Sequence, residues 1–171
     1  MKKSKLITFC ALMSALGIVM LFLGALLNIL DLTAVIFASI ILMVAREEIG
    51  YKALFIYFVT IAIAVLIPST LVVGIEYAII ALYPIIKPFF DRQRAVIKWS
   101  LKIVYILMAS FGIFLISRFL VADAPLYMDI LLGITCVLVF ILYDILLFRF
   151  SMYYGFKLRN KLRLDKFFNQ N

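Results

Sequence analysis

The chain is 171 residues long, 67% of them hydrophobic and 15% charged, with 17 Lys+Arg against 9 Asp+Glu and no histidine. Soluble domains carry roughly 45–50% apolar and 25% charged residues, so this composition excludes a soluble fold, whose surface it could not solvate. The missing histidine removes the commonest transition-metal ligand and the usual general base.

At about 20 residues per span plus short turns, the length fits about five to seven membrane helices in one bundle. The apolar runs are continuous and lack the period-two alternation of an outer-membrane barrel. The formal charge of +8 does not indicate a nucleic-acid partner. The basic residues fall at the ends of apolar runs, where lipid headgroups and the positive-inside rule account for them.

Met1-Lys-Lys-Ser-Lys5 leads into an apolar run from Leu6 to about Leu27. That run exceeds the roughly 7–15 residues of a signal-peptide core and no small-residue cleavage site follows, so it is expected to be a retained first helix. Asn28 and Asp31 mark a turn. The second run, Leu32 to about Ala45, would reach only ~21 Å at ~1.5 Å per residue, short of a ~30 Å hydrocarbon core. This helix must begin before Asp31, thin the bilayer, or shelter behind its neighbours.

Arg46-Glu-Glu-Ile-Gly-Tyr-Lys52 reads as a charged turn around Gly50. A third helix is expected from about Ala53 to Ile67, ended by Pro68-Ser-Thr70. The fourth, Leu71 to Phe90, carries a carboxylate, Glu76, inside its apolar run; Pro84 should kink it and Pro88 help to end it. Lys87 to Lys102, with Asp91, Arg92, Arg94 and Lys98, reads as a headgroup-level connection, with Trp99 as interface anchor. A fifth helix from about Ala95 to Leu120, a turn at Asp123-Ala-Pro125 and a sixth helix from about Leu126 to Phe150 complete the bundle.

From Ser151 onward, Lys157, Arg159, Lys161, Arg163 and Lys166 alternate with Phe156, Leu162, Phe167 and other apolar residues. That mixture suits a segment lying on an anionic leaflet, and equally a basic cytoplasmic tail. In a six-helix arrangement all of the 17 Lys+Arg except Arg118 fall on one side, whereas five spans would scatter them. The positive-inside rule then puts both termini in the cytoplasm. The expected fold is all-α: a polytopic membrane protein with six transmembrane helices in one bundle (residues 1–150) and a basic, partly amphipathic cytoplasmic tail (151–171).

An ionisable group at the bilayer centre costs roughly 3 kcal/mol on insertion scales and normally faces other helices or a water-filled cavity. Glu76 is expected about a turn and a half in from the outer end of its helix. Arg118, Tyr77 and Asp129 join it as candidate ligand-binding residues, with Asn28, Asp31, Asp123 and Tyr127 nearby. A purely structural Glu76–Arg118 pair would also neutralise two costly groups. Asp144, nearer the cytoplasmic end of its helix, is expected in a salt bridge at the depth of Lys98 and Lys102. Cys10 and Cys136 lie within apolar runs and read as small core residues.

The sequence contains no H-E-x-x-H, no G-x-S-x-G, no Walker A motif and no paired aspartates spaced for a divalent metal, so no enzyme, catalytic residue, metal or cofactor is expected. Ala11 and Ala15, four residues apart with Ser14, Gly17 and Gly24 nearby, form a small-xxx-small pattern that lets another helix approach closely. A short cytoplasmic N-terminus leading into an Ala-x-x-x-Ala first helix, in a chain of six-helix size, resembles the substrate-binding S component of energy-coupling factor (ECF) transporters. That resemblance implies that Ala11 and Ala15 face a transmembrane coupling subunit working with two ATPases. It also implies that the chain captures a small vitamin-like solute at its outer face and hydrolyses nothing.

Gly50-Tyr-Lys52, Glu76-Tyr77, Tyr83-Pro84-Ile85 and Lys87 are similar to stretches in uncharacterised small six-span membrane proteins of Gram-positive bacteria. The implied location is the bacterial cytoplasmic membrane, with membrane lipids as partners. The other expectation is a membrane scaffold or assembly protein that uses the same Ala stripe and has no transported ligand.

Overall fold

The computed structural model describes residues 3–27, 31–120 and 126–158, and their regular structure is helical, with no strand among them. Seven α-helices follow in order: α1 (Lys3–Leu27), α2 (Asp31–Ile49), α3 (Ala53–Leu66), α4 (Leu71–Ile80), α5 (Leu82–Asp91), α6 (Ala95–Leu120) and α7 (Leu126–Tyr153). Short 3-10 turns occupy Gly50–Lys52 and Pro68–Thr70, and a π-helical turn, Tyr154–Leu158, extends α7.

Among the described residues five helical stretches are long and apolar enough to cross a membrane: Ser4–Leu27, Asp31–Leu66, Leu71–Asp91, Ala95–Leu115 and Gly133–Lys157. The second, at 36 residues, would reach ~54 Å if it were one straight helix, against a ~30 Å hydrocarbon core. It is not one straight helix. At its N-terminal end α2 lies on Gly24, whose added Cβ would fall 2.5 Å from the Ala34 Cβ and 3.7 Å from the Asp31 Cα. Beyond Gly50, Tyr51, Lys52 and Phe55 border a cavity with Leu6, Ile7 and Cys10, and farther on Thr60 lies 3.4 Å from a Cβ built on Gly17. So α2 runs antiparallel to α1 and α3 runs parallel to it, with the reversal at Gly50. Gly50 holds φ at +63°, a backbone conformation costly for residues with a Cβ.

One expectation about α2 needs correction. The helix gains length at its C-terminal end, where Arg46, Glu47 and Glu48 are helical rather than part of the turn; the start expected before Asp31 falls on residues 28–30, outside the described residues. Arg and Glu are good helix formers, and the carboxylates find partners there: Ser151 Oγ donates to Glu47 Oε1 at 3.2 Å and Tyr154 Oη to Glu48 Oε1 at 2.8 Å. The fourth predicted helix is split. The break falls at Ala81, between α4 and α5. Pro84 has no N–H and its ring crowds the carbonyl four residues earlier, that of Ile80, so the disruption appears one turn before the proline. Pro88 does not end the helix, which continues to Asp91.

The chain divides into two compact units, one of Met1–Ile85 with Leu146–Asn171 and one of Ile86–Ile145. In the first, α1 to α4 pack through small residues and hydroxyls. Gly74 on α4 faces Ala64 on α3, where a Cβ would come within 3.1 Å of the Ala64 Cβ. Tyr57 Oη donates to the Ala78 carbonyl at 2.7 Å, and buried Thr70 donates to the Ala64 carbonyl at 2.6 Å. The latter bond satisfies an orphan C-terminal acceptor of α3. The start of α1, the end of α2, the start of α3 and the end of α7 share one end of this unit, which gathers Lys5, Arg46 and Lys52. The opposite end holds Gly24, Asp31 and the Pro68–Thr70 turn.

In the second unit, Phe90, Tyr105, Phe140 and Tyr143 form a chain of edge-to-face rings with centroids 6.4, 6.5 and 6.2 Å apart in turn, a favoured aromatic geometry. Val96, Ile103, Val104, Leu107, Met108 and Phe111 on α6 are exposed. A continuous apolar face of this kind suits contact with lipid, which solvates Leu and Ile as well as a protein interior does.

Candidate functional site

Glu76 sits on the second turn of α4, near the end of the first unit opposite its cations. The side chain is half-buried and makes no hydrogen bond or ion pair with any described residue. Its charged neighbour is another carboxylate, Asp31, at the N-terminus of α2. Asp31 Oδ1 is buried with no hydrogen-bond partner among the described residues, although the helix N-terminus offsets some of its charge. The two acids form an acidic spot between α2 and α4, with no cation paired to either among the described residues.

Tyr77, the next residue, points elsewhere. One helical step is about 100°, from 3.6 residues per turn, and Tyr77 is 1% exposed, its ring 6.2 Å from that of Tyr57 and its hydroxyl beside Thr60. Tyr77 is thus a core residue of the α3–α4 contact, while Glu76 is half-buried. Arg118, Tyr127 and Asp129 belong to α6 and α7, but their side chains lie outside the described residues, as do Asn28 and Asp123 altogether.

Ala11 and Ala15 are both exposed on α1, on the same stripe as exposed Ser4 and Thr8. Cys10, Ser14, Gly17 and Gly24 face the other way and are buried, and Ala25 is half-buried. Small side chains on one helix therefore serve two faces, one used up by α2 and α3 and one left open.

A second group of ionisable residues assembles within the second unit. Asp144 Oδ1 accepts from Lys87 and Oδ2 accepts from Lys102 at 2.8 Å; Lys87 also donates to the Asp144 carbonyl at 2.8 Å. Lys98 pairs with Asp91 at 2.8 Å, and Lys102 lies 3.6 Å from the same oxygen. Lys102 Nζ also stands 5.8 Å from the centre of the Trp99 ring, within cation–π range. The salt bridge expected of Asp144 forms with Lys102, while Lys98 turns to Asp91. Lys87 was not foreseen. Its signal was the one that marked Glu76, an ionisable group within an apolar run, here masked by the prolines and charges that suggest a connection.

Among the described residues no group of three or more Cys, Asp or Glu is placed to hold a metal ion. No family model, curated protein or solved structure matches the chain.

Proposed function

We propose that this chain crosses a bacterial cytoplasmic membrane six times, with both termini inside, and serves as the S component-like, solute-binding subunit of a multi-component importer of the energy-coupling factor type. The observation that carries the reading is the open Ala11/Ala15 stripe on a helix whose Cys10, Ser14, Gly17 and Gly24 are buried within the bundle. Without a hydrophobic driving force between helices in lipid, close backbone approach at small residues supplies the packing energy of association. A transmembrane coupling subunit, itself served by ATPases, is the partner of this face.

The six-span reading counts the reversal at Gly50 as the end of one crossing and the start of the next, and takes α4 and α5 as a single broken crossing. Positive charge at the end of the first unit that holds Lys5, Arg46 and Lys52 puts that end inside. Glu76 then lies toward the outer face as the charged contact for a small solute, with Tyr77 holding α4 in place, while Arg118 and Asp129 stand as candidate contacts from the sequence alone.

Purification of the tagged chain from its native membranes tests the assignment. The expected result is a complex containing a membrane subunit and ATP-hydrolysing subunits, lost on Ala11→Leu/Ala15→Leu replacement while the bundle stays folded. A chain that comes away alone, or a complex indifferent to the double replacement, supports instead a scaffold role without a transported ligand.

A further inference from the structure

Within the second unit, α6 and α7 leave an open groove of about 330 Å³ between them. One end is charged and aromatic, lined by Trp99, Lys102 and Asp144; the other is wholly apolar, reaching Leu107 and Val137. The helices run antiparallel here, since Trp99 and Ile145 share one end and Leu107 and Val137 the other. Eight residues separate Trp99 from Leu107, so the groove descends about 12 Å along the helix axes. Its shape and polarity are those of a lipid: a polar mouth leading into a slot lined by Ile103, Ile106 and Ile141.

The mouth has a sign. Its ion-pair network contains three lysines, Lys87, Lys98 and Lys102, against two carboxylates, Asp91 and Asp144. Asp144 is spent on Lys87 and Lys102, both buried, and Lys98 retains a side chain about one-third exposed. Arg92 and Arg94, both exposed, lie just before α6 on the connection from α5. Lys98 and Lys102 share the exposed Asp91, yet with Arg92 and Arg94 the cations around the mouth outnumber its two carboxylates. Trp99 is 61% exposed, as an indole at the headgroup level is expected to be.

We infer that this groove binds one anionic phospholipid, its phosphate at Lys98 and Lys102 beside Trp99 and one acyl chain lying between α6 and α7. A basic pocket between membrane helices, positive at the headgroup level and apolar below, has the chemistry that selects an anionic headgroup over a zwitterionic one. A second transmembrane helix would fill the apolar slot but would leave the excess positive charge at its mouth unmatched. The site is independent of the importer assignment: it lies on α6 and α7 and uses neither Glu76 nor the Ala11/Ala15 stripe.

Trp99, the sole tryptophan, makes the groove self-reporting. The intact chain is reconstituted in phosphatidylcholine vesicles containing ~10% of a lipid brominated on the acyl carbons near the headgroup, either phosphatidylglycerol or phosphatidylcholine. One net cation near the surface is worth roughly 1 kcal/mol, or about fivefold in local lipid preference. Brominated phosphatidylglycerol should therefore quench Trp99 as though present at several times its bulk fraction. That preference should fall to the bulk value in Lys98→Gln, which removes the headgroup contact, and in Val137→Phe, which blocks the apolar end while leaving every charge in place. Equal quenching by the two lipids overturns the inference. So does a preference that survives Val137→Phe, which would mark diffuse attraction of anionic lipid to Arg92 and Arg94.

Discussion

The two compact units hold themselves together by different physics. In the unit of α1 to α4, backbones come close: Gly24 against Ala34, Gly74 against Ala64, with Tyr57 and Thr70 hydroxyls capping carbonyls of neighbouring segments. In the unit of α6 and the larger part of α7, packing relies on rings and on a carboxylate shared by two ammonium groups, and Gly133 meets nothing among the described residues within 4 Å of a built Cβ. Close approach at Gly24 and Gly74 leaves no room for a ligand there, and the cavity of the first unit opens instead at its cationic end, between α1 and the start of α3. Charge networks and wide ring contacts leave a groove. The difference teaches where each unit is free to bind: the first on its outer face and at its polar end, the second between its helices.

The largest expected effect is on the second unit. Asp144→Ala strands Lys87 and Lys102, both buried, without their shared carboxylate, and removing one partner of a buried ion pair costs about 3–5 kcal/mol. Thermal unfolding of the detergent-solubilised protein should drop steeply; Asp144→Glu should recover part of the loss. An unchanged transition would mean that the network is not what holds this unit.

Gly24→Val should cost the first unit about 1–3 kcal/mol by overpacking, because the new side chain meets Ala34 across a gap that the glycine keeps closed. Gly133→Ala is the matched control in the second unit. With open space around it and a better helix former in place, it should be neutral or stabilising by up to about 1 kcal/mol. Equal losses at the two glycines, measured by the same unfolding transition, would erase the contrast between the units. Smaller again is Tyr57→Phe, which removes one hydroxyl–carbonyl bond and should cost about 1 kcal/mol, read in the same assay.

Much of the helical order was legible in the sequence because apolar runs long enough to span hydrocarbon leave few alternatives, and the boundaries of α3 and α6 follow from that alone. The pairing of Asp144 with Lys102 was legible from depth, since an acid and a base at similar height in adjacent helices have strong reason to meet. What was not legible depended on rotation. Nothing in Leu71–Ile80 says that Tyr77 points into the bundle while Glu76 sits at its edge; apart from these two adjacent residues the fragment is apolar and has no polar stripe to set its orientation. Lys87 was hidden for a related reason, because the break one turn ahead of Pro84 resets the facing of everything after it. The outward aim of Ala11 and Ala15 could be proposed from spacing, but the separation of that stripe from Ser14, Gly17 and Gly24 appears only once α2 and α3 are packed against α1.

Solute capture at Glu76 requires that this residue lie near the membrane face opposite the one where Lys5, Arg46 and Lys52 collect. Single-cysteine labelling measures this directly, in a chain with Cys10 and Cys136 replaced and one cysteine placed at exposed Tyr51, beside the Gly50 reversal, or at exposed Ser69, just before α4. A membrane-impermeant thiol reagent applied to intact cells should label Ser69→Cys, and Tyr51→Cys should be labelled only after the membrane is opened. Labelling of both from the same side, or a Tyr51→Cys that stays unreactive in opened membranes because it lies within the bilayer, would contradict the six-span arrangement and remove the outer site.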